Sequence, residues 1–327
     1  MHQVWITGPE AVEVRTVATP SAGPGEVLVH TAYAGICGSD LHTLHRGHPW
    51  LPYPIAPGHE ASGVLDSGER VYLRPAIACG VCFYCKRGKP NLCDALIGVG
   101  SHTPGAFAEA FVVPAAALAP VPDGVSLAAA AMIEPLATAV HAVAAAGDVA
   151  GSTVAVLGGG SIGQSVLLAA RAAGAEQVVV TDPVASKRAL ALSLGAAAAL
   201  PPDAVPDAVR AALDGRPDVV FDCVASAGSL GSAIDLAVKG GTVVVVGVGH
   251  GPLTVAIETV QDQEVRIAGS AMYTPADFAR AESLIAGGVP VERLITAVHP
   301  LSEAVAALRA ATTGDEVKIH LAGPAAV

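Results

Sequence analysis

Six residues, Gly158-Gly159-Gly160-Ser161-Ile162-Gly163, constrain this chain more than any others. They follow an apolar, β-branched run, Thr153–Leu157, and open a stretch, Ser161–Ala173, in which apolar residues recur at helical spacing. A G-x-G-x-x-G hexad alone is a weak signal, but between a strand and a helix it marks a turn built to meet a dinucleotide. Gly158 permits the tight turn, Gly160 lets a pyrophosphate approach the backbone, and Gly163 lets the helix pack close to the strand. The helix start, at Ser161 and Ile162, offers free N–H groups and the positive end of its dipole. The next apolar run, Gln177–Thr181, leads into Asp182. That carboxylate would accept hydrogen bonds from ribose hydroxyls and repel a 2′-phosphate, so NAD is expected over NADP. Lys187 lies close enough in sequence to meet either a ribose or a phosphate. The bland alternative is a glycine turn that holds no ligand.

The strand–helix alternation continues. Helical spacing covers Pro183–Leu194, Ser229–Ala237 and Pro275–Ala286, and apolar strands fall at Val219–Asp222, Thr242–Val246 and Arg266–Ala268. This is the pattern of a doubly wound parallel sheet with helices on both faces, expected over residues 151–288. Residues 1–150 read differently. Short β-branched runs such as Val27–Val29, Arg70–Leu73 and Phe111–Val113 lie between Gly/Pro clusters, as in a β-rich, loop-rich domain. Past Gly288 only one helix, Leu301–Arg309, and one strand, Val317–Leu321, are expected, so residues 289–327 should return to complete the first domain. A chain of 327 residues exceeds what one hydrophobic core usually supports, which agrees with two domains.

Composition narrows the partners. With 52% hydrophobic and 14% charged residues the chain is not a disordered one, and a net charge of −11 repels nucleic acid and anionic membranes. The longest uncharged tract, Val149–Ala170, holds the glycine hexad and Gln164 in its middle, which suits strand, turn and helix better than a membrane span. Met1–Ile6 lacks the basic and apolar regions of an export signal. A cytoplasmic protein acting on a small molecule is expected, with its thiols reduced.

Four of the six cysteines, Cys79, Cys82, Cys85 and Cys93, fall in C-x2-C-x2-C-x7-C spacing. Thiolates gathered by short turns supply the tetrahedral set that zinc prefers, and four of them leave no open position, so such an ion holds a loop together instead of reacting. An all-cysteine set alone also suits iron–sulfur chemistry, for which nothing else in the sequence speaks. A nucleic-acid zinc module would use the nearby Arg74, Lys86, Arg87 and Lys89, but the overall acidity and the lack of a second Cys/His pair oppose it.

Elsewhere stand Cys37, in Gly35-Ile36-Cys37-Gly38-Ser39-Asp40-Leu41-His42, and His59, in Pro57-Gly58-His59-Glu60. Singly they read as a buried cysteine and a histidine satisfied in a turn. Together with the cysteine lobe, the glycine hexad and Glu134-Pro135-Leu136, they give the chain a close resemblance, along nearly its whole length, to the zinc-dependent medium-chain alcohol dehydrogenases, in the branch of sorbitol and threonine dehydrogenases. That resemblance implies an α/β protein with a GroES-like catalytic domain and a Rossmann domain. It implies NAD and two zinc ions per chain, one catalytic and one structural, in a homodimer or homotetramer. By position, Cys37, His59 and Glu134 match the catalytic ligands. Glu60 matches an adjacent carboxylate that approaches the metal, and Asp40 a group that orients a ligand. Ser39 matches the hydroxyl that bonds the substrate alcohol, and His42 is placed to pass its proton towards solvent. The four cysteines match the structural lobe, Lys187 a basic residue near the adenosine ribose, and Val248 and Met272 the backbone beside the nicotinamide.

The implied chemistry is coherent. Removing hydride from an alcohol carbon requires alkoxide character on its oxygen, and zinc with three protein donors keeps a position open and lowers the pKa of a hydroxyl there, to about 7 for water. Three departures from the family pattern bear on substrate. The segment around Val64–Gly68 is short, which should trim a surface hairpin and spare the metal ligands. Thr43 stands where sorbitol dehydrogenases tend to have tyrosine, and Ser270-Ala271-Met272-Tyr273 lacks an arginine. With two polyol-gripping side chains missing, a secondary alcohol other than sorbitol is expected: a smaller diol, a cyclitol or an amino alcohol. The competing readings are a metal-free quinone or enoyl reductase of the same fold, a non-catalytic nucleotide or redox sensor or structural protein, and an NADP-dependent sugar or alcohol dehydrogenase.

Overall fold

The computed structural model describes residues 1–48, 51–249 and 251–326. They form two compact units, Met1–Glu134 with Ala281–Val327, and Pro135–Arg280.

The second unit is built on a six-stranded sheet in the order Ala198–Leu200, Gln177–Thr181, Thr153–Leu157, Val219–Asp222, Thr242–Val245, Arg266–Gly269, every pair parallel. In sequence order this is 3-2-1-4-5-6, the doubly wound dinucleotide arrangement, in which ligands meet the carboxyl ends of the strands. Sheet residues such as Ala155, Val179, Val220 and Val243 are buried together with Leu230, Ile234 and Leu236 of the helix Ala227–Leu236, which is why these strands read as unbroken apolar runs. Helix Ser161–Ala172 opens at the glycine hexad and helix Pro275–Ala286 keeps its expected bounds. The helix expected from Pro183 begins at Ala185, because Asp182 Oδ1 takes the Val184 N–H and makes a turn there. Strand Ala198–Leu200 and helix Asp207–Ala212 carry no sequence signal, since alanine favours neither β-structure nor a recognisable helix face.

The first unit centres on the strand Glu26–Gly35, which pairs antiparallel with Glu60–Leu65, Ala110–Pro114 and Lys318–Ala322. Arg70–Leu73 and Leu118–Pro120 extend the sheet on one side. On the other, Ile295–Pro300 adds a strand beside Lys318–Ala322. This last strand was not expected, because its residues are alternately half-buried and exposed and carry no clear apolar run. Val29, Phe107, Phe111, Leu308 and Leu321 lie in the core of this unit. Between Glu60–Leu65 and Arg70–Leu73 the chain turns tightly, closed by Leu65 N–H to Glu69 O (2.9 Å) and Gly68 N–H to Leu65 O (2.8 Å). The short segment thus ends away from Glu60, at the far end of the strand.

Both unit boundaries fall inside helices, at 134/135 and 280/281, where the sequence suggested 150/151 and 288/289. Side-chain contacts give the reason. Residues of the helix Ile133–Ala146 are tied to the second unit by His141 Nδ1 to Asp277 Oδ2 (2.8 Å) and by Arg266 donating to Ala145 O (3.2 Å). Past residue 280, Glu282 accepts from the Tyr72 hydroxyl (2.9 Å) in the first unit. Among the described residues no helix is long and apolar enough to cross a membrane.

Candidate functional site

Cys37 caps the helix Gly38–Arg46, and Asp40, one turn in, accepts the Cys37 N–H on Oδ2 (2.9 Å). This fixes the thiol at the helix start, near the positive end of the dipole. His59 lies just before the strand Glu60–Leu65. The donor atoms of Cys37, His59 and Glu60 lie within 4.8 Å of one another. Ser39 Oγ is 3.4 Å from His59 Nε2, and Asp40 Oδ1 is 3.7 Å from His59 Nδ1. His42 is three residues beyond Ser39 on the same helix, hence on the same face, and half-buried. Glu134 is buried near the start of its helix and is not one of the three mutually close donors.

Acidic groups gather around His59 in this pocket. Burial pulls the His59 imidazolium down, yet Asp40, Cys37 and Glu134 outweigh it and hold the group well above its usual range. Burial pushes Asp40 up, against the opposing pull of His59. The thiol of Cys37, the imidazole of His59 and the carboxylate of Glu60, within reach of one point, make a mixed set that suits zinc, so these residues fit the ion the sequence implies.

Thr43 does not face this pocket with its hydroxyl. The group donates to Ser39 O (2.9 Å) within its own helix, and the Tyr53 hydroxyl caps Thr43 O.

Two residues that sequence reasoning missed lie beside these donors. Lys318 donates to Glu60 Oε1 (2.8 Å), Glu60 Oε2 (2.6 Å) and Ile36 O (3.0 Å). Burial pulls its ammonium down, but Glu60 and Cys37 raise it above its usual value. The signal was present in Lys318-Ile319-His320-Leu321, where polar residues alternate with core residues along one strand. His320 is wholly buried, with neither ring nitrogen hydrogen-bonded among the described residues. Burial and the Lys318 charge push it down to about 3. The folded protein therefore keeps His320 neutral, while the unfolded chain takes up its proton below ~6.5. This contribution to stability is complete above pH ~6.5 and shrinks as pH falls towards 3. His320→Phe is expected to flatten the acid side of the stability–pH curve in that window, as measured by urea unfolding against the unmodified chain.

The cysteine lobe forms as a separate cluster, the sulfurs of Cys79, Cys82, Cys85 and Cys93 lying within 4.8 Å of one another. Two short 3-10 turns, Cys85–Arg87 and Pro90–Leu92, fold the chain back on itself. Gly88, at φ 72°, closes the first of them in the left-handed region, which glycine enters without strain. Backbone N–H groups point at the sulfurs. That of Cys79 reaches Cys93 Sγ at 3.2 Å, and those of Cys85 and Asp94 pull the Cys82 thiol down to about 6. Burial pushes Cys85 up to about 12. The donor set suits a closed, four-thiolate ion.

In the second unit the glycines act as the hexad requires. Gly158 has φ 95°, and a Cβ on Gly163 would stand 1.8 Å from Gly158 O, so no other residue fits at 163 without moving the turn. A Cβ on Gly160 would meet nothing within 4 Å, and the buried Ser161 Oγ has no hydrogen-bond partner among the described residues. An open cradle and an unsatisfied hydroxyl at a helix start fit a phosphate group. Asp182 Oδ2 accepts the Gly159 N–H (2.8 Å), so the acidic residue and the glycine loop are one assembly. Lys187 is buried, and Arg188, not anticipated, donates to Asp182 O and Pro183 O, both at 2.8 Å. Val248 is exposed and Met272 has φ 55°. They follow Thr242–Val245 and Arg266–Gly269, so they share the carboxyl edge of the sheet with the hexad.

Comparison with known proteins matches residues 161–287 to the family described as zinc-binding dehydrogenase, and residues 23–123 to the alcohol dehydrogenase GroES-like domain. An L-idonate 5-dehydrogenase of Vitis vinifera is 32% identical over 313 residues, covering 89% of this chain and 86% of that protein. An alcohol dehydrogenase from Escherichia coli CFT073, solved with NADH, superposes with a TM-score of 0.91 at 29% identity, covering 98% of this chain and 99% of that one. A zinc-binding dehydrogenase from Sinorhizobium meliloti 1021, solved with NADP, gives 0.89 at 34% identity and covers 98% of both.

Proposed function

Since the chain belongs to the zinc-dependent medium-chain alcohol dehydrogenase family, in its sorbitol dehydrogenase-like branch, we propose that it moves a hydride between a secondary alcohol of the polyol or sugar-acid class and NAD, giving the ketone reversibly. The observation that carries this reading is the convergence of Cys37, His59 and Glu60 donors within 4.8 Å, with the Ser39 hydroxyl 3.4 Å from His59. Zinc held there supplies Lewis acidity, which makes an alcohol proton easier to remove. Cys37, His59 and Glu134 are the proposed donors, with Glu60 as the adjacent carboxylate. Asp40 orients His59 and the Cys37 backbone. Ser39 accepts the alcohol proton, and His42, one turn along, passes it towards solvent. In the second unit Gly158, Gly160, Ser161, Ile162 and Gly163 receive the pyrophosphate. Asp182 and Lys187 meet the adenosine ribose, and Val248 and Met272 lie towards the nicotinamide. A second zinc belongs to Cys79, Cys82, Cys85 and Cys93. Four reduced thiols suit the cytosol, and the family resemblance suggests a homodimer or homotetramer.

The relative's own substrate name supports a polyhydroxylated alcohol. Thr43, turned into its helix, supports one other than sorbitol. The direct test is oxidation of a panel of polyols, aldonic acids, cyclitols and amino alcohols with NAD. Failure across the panel by protein carrying two zinc ions per chain would count against the reading.

A second reading, NADP, is favoured by Arg188 beside Asp182 and by the nucleotide in the Sinorhizobium structure. Asp182 decides between them. Charge-assisted hydrogen bonds are worth about 1.5–3 kcal/mol, so Asp182→Ala is expected to lower kcat/KM with NAD by roughly 10- to 100-fold and with NADP by much less. An unmodified protein that already prefers NADP would reverse the assignment.

A further inference from the structure

Gln164, the residue just past the last glycine of the hexad, is 0% exposed on the helix Ser161–Ala172. Its Nε2 donates to Gly159 O (3.1 Å) and to Lys187 O (2.9 Å). A side-chain amide has two N–H groups, so both are spent on carbonyls, and turning the amide over would set Oε1 against the same two oxygens. Oε1 itself has no hydrogen-bond partner among the described residues. The fold thus uses the donors of this side chain and leaves its acceptor empty.

Stability is a poor reason for that choice. A buried acceptor left unsatisfied carries its full desolvation cost. Val166, Leu167 and Leu168, further along the same helix, are buried without any side-chain polar atom to satisfy. What Gln164 holds supplies a better reason. Gly159 is gripped on both sides: Asp182 Oδ2 takes its N–H (2.8 Å) and Gln164 takes its carbonyl. In a trans peptide the carbonyl of one residue and the N–H of the next point opposite ways. With Gly159 O drawn to a wholly buried side chain, Gly160 N–H is directed away from the interior, and Gly160 is half-buried where Gly159 is buried. Glycine at both positions makes this peptide easy to turn over, since neither residue has a side chain to resist. Turned over, it would present a carbonyl oxygen where an anion needs a donor.

We infer that Gln164 is a positioning residue for the dinucleotide: it pins the Gly159–Gly160 peptide so that an N–H, and not a carbonyl, meets the pyrophosphate. This deepens the proposed function and rests on its dinucleotide site.

The test measures binding, on the zinc-loaded protein. NADH is titrated by its fluorescence, and ADP-ribose and adenosine by displacement of NADH. Gln164→Met keeps the length of the side chain and loses both donors. Its affinity for NADH and ADP-ribose should fall at least about tenfold, a shift of about 1.4 kcal/mol, while that for adenosine, which has no phosphate, stays within about threefold. Gln164→Glu keeps the shape. Protonated, it retains one donor; ionised, it turns an acceptor on Gly159 O. A buried carboxyl titrates well above its usual range, so the ADP-ribose affinity of this variant, relative to the unmodified chain, should fall at least about tenfold from ~pH 6 to ~pH 9. Unchanged ADP-ribose affinity in Gln164→Met overturns the inference. So does an equal loss for all three ligands, which a general loosening of the fold would produce. A flat relative pH profile in Gln164→Glu also overturns it, and that variant decides the matter if Gln164→Met does not fold. An unmodified chain that binds neither NADH nor NADPH sinks the dinucleotide reading itself, and the role of Gln164 with it.

Discussion

Cys37→Ser and His59→Ala are each expected to cut turnover by about a thousandfold or more while leaving dinucleotide affinity largely unchanged. Lewis-acid catalysis is worth several kcal/mol, and each ~1.4 kcal/mol is a factor of ten in rate. Cys37 stands at a helix start where Asp40 accepts its N–H, and His59 lies between Ser39 and Asp40. Neither belongs to the unit that carries the glycine hexad, so coenzyme binding, followed by NADH fluorescence titration, provides the control. Turnover retained in either variant would remove the metal pocket from the reaction. A parallel loss of NADH binding would mean that the substitution had disturbed the fold as a whole.

Cys93→Ser should act on stability first. The lobe exposes Val81 (70%) and Phe83 (58%) and buries few apolar side chains, so the ion proposed for it would be what holds it. Losing one of four thiolates is expected to cost several kcal/mol and lower the melting temperature by roughly 10 °C, at ~2–4 °C per kcal/mol for domains of this size. Metal analysis should fall from two zinc ions per chain towards one. Cys223→Ser is the control. That thiol lies outside both clusters, at the end of the strand Val219–Asp222, and its loss should leave zinc content and melting nearly unchanged. Equal melting of Cys93→Ser and the unmodified chain would deny the lobe a structural ion.

Much of this was legible in the residues, for definite reasons. The strands Thr153–Leu157, Gln177–Thr181 and Val219–Asp222 have the bounds expected of them, because a sheet buried on both faces must be written as apolar runs. Cys79 to Cys93 could be grouped because their spacing is local. Cys37 and His59 could be joined only through a resemblance, since no periodicity links residues so far apart. Strand Ile295–Pro300 stayed hidden behind half-exposed alternation, and Ala198–Leu200 behind alanine. Lys318 was missed for a different reason. Its place beside Glu60 comes from which strands lie side by side, and nothing in a linear chain says that residues 318 and 60 are neighbours.

That separation also bears on the order in which the molecule assembles. Cys79 and Cys93 are 14 residues apart, whereas Glu60 and Lys318 are 258 apart. Closing the longer loop costs roughly 2–3 kcal/mol more chain entropy. A nascent chain can gather its local thiols early, while the Lys318 ammonium reaches Glu60 only once the distant strand has docked. Until then Glu60 lacks its buried partner. The four-cysteine lobe should therefore form before the pocket around Cys37, His59 and Glu60 is complete.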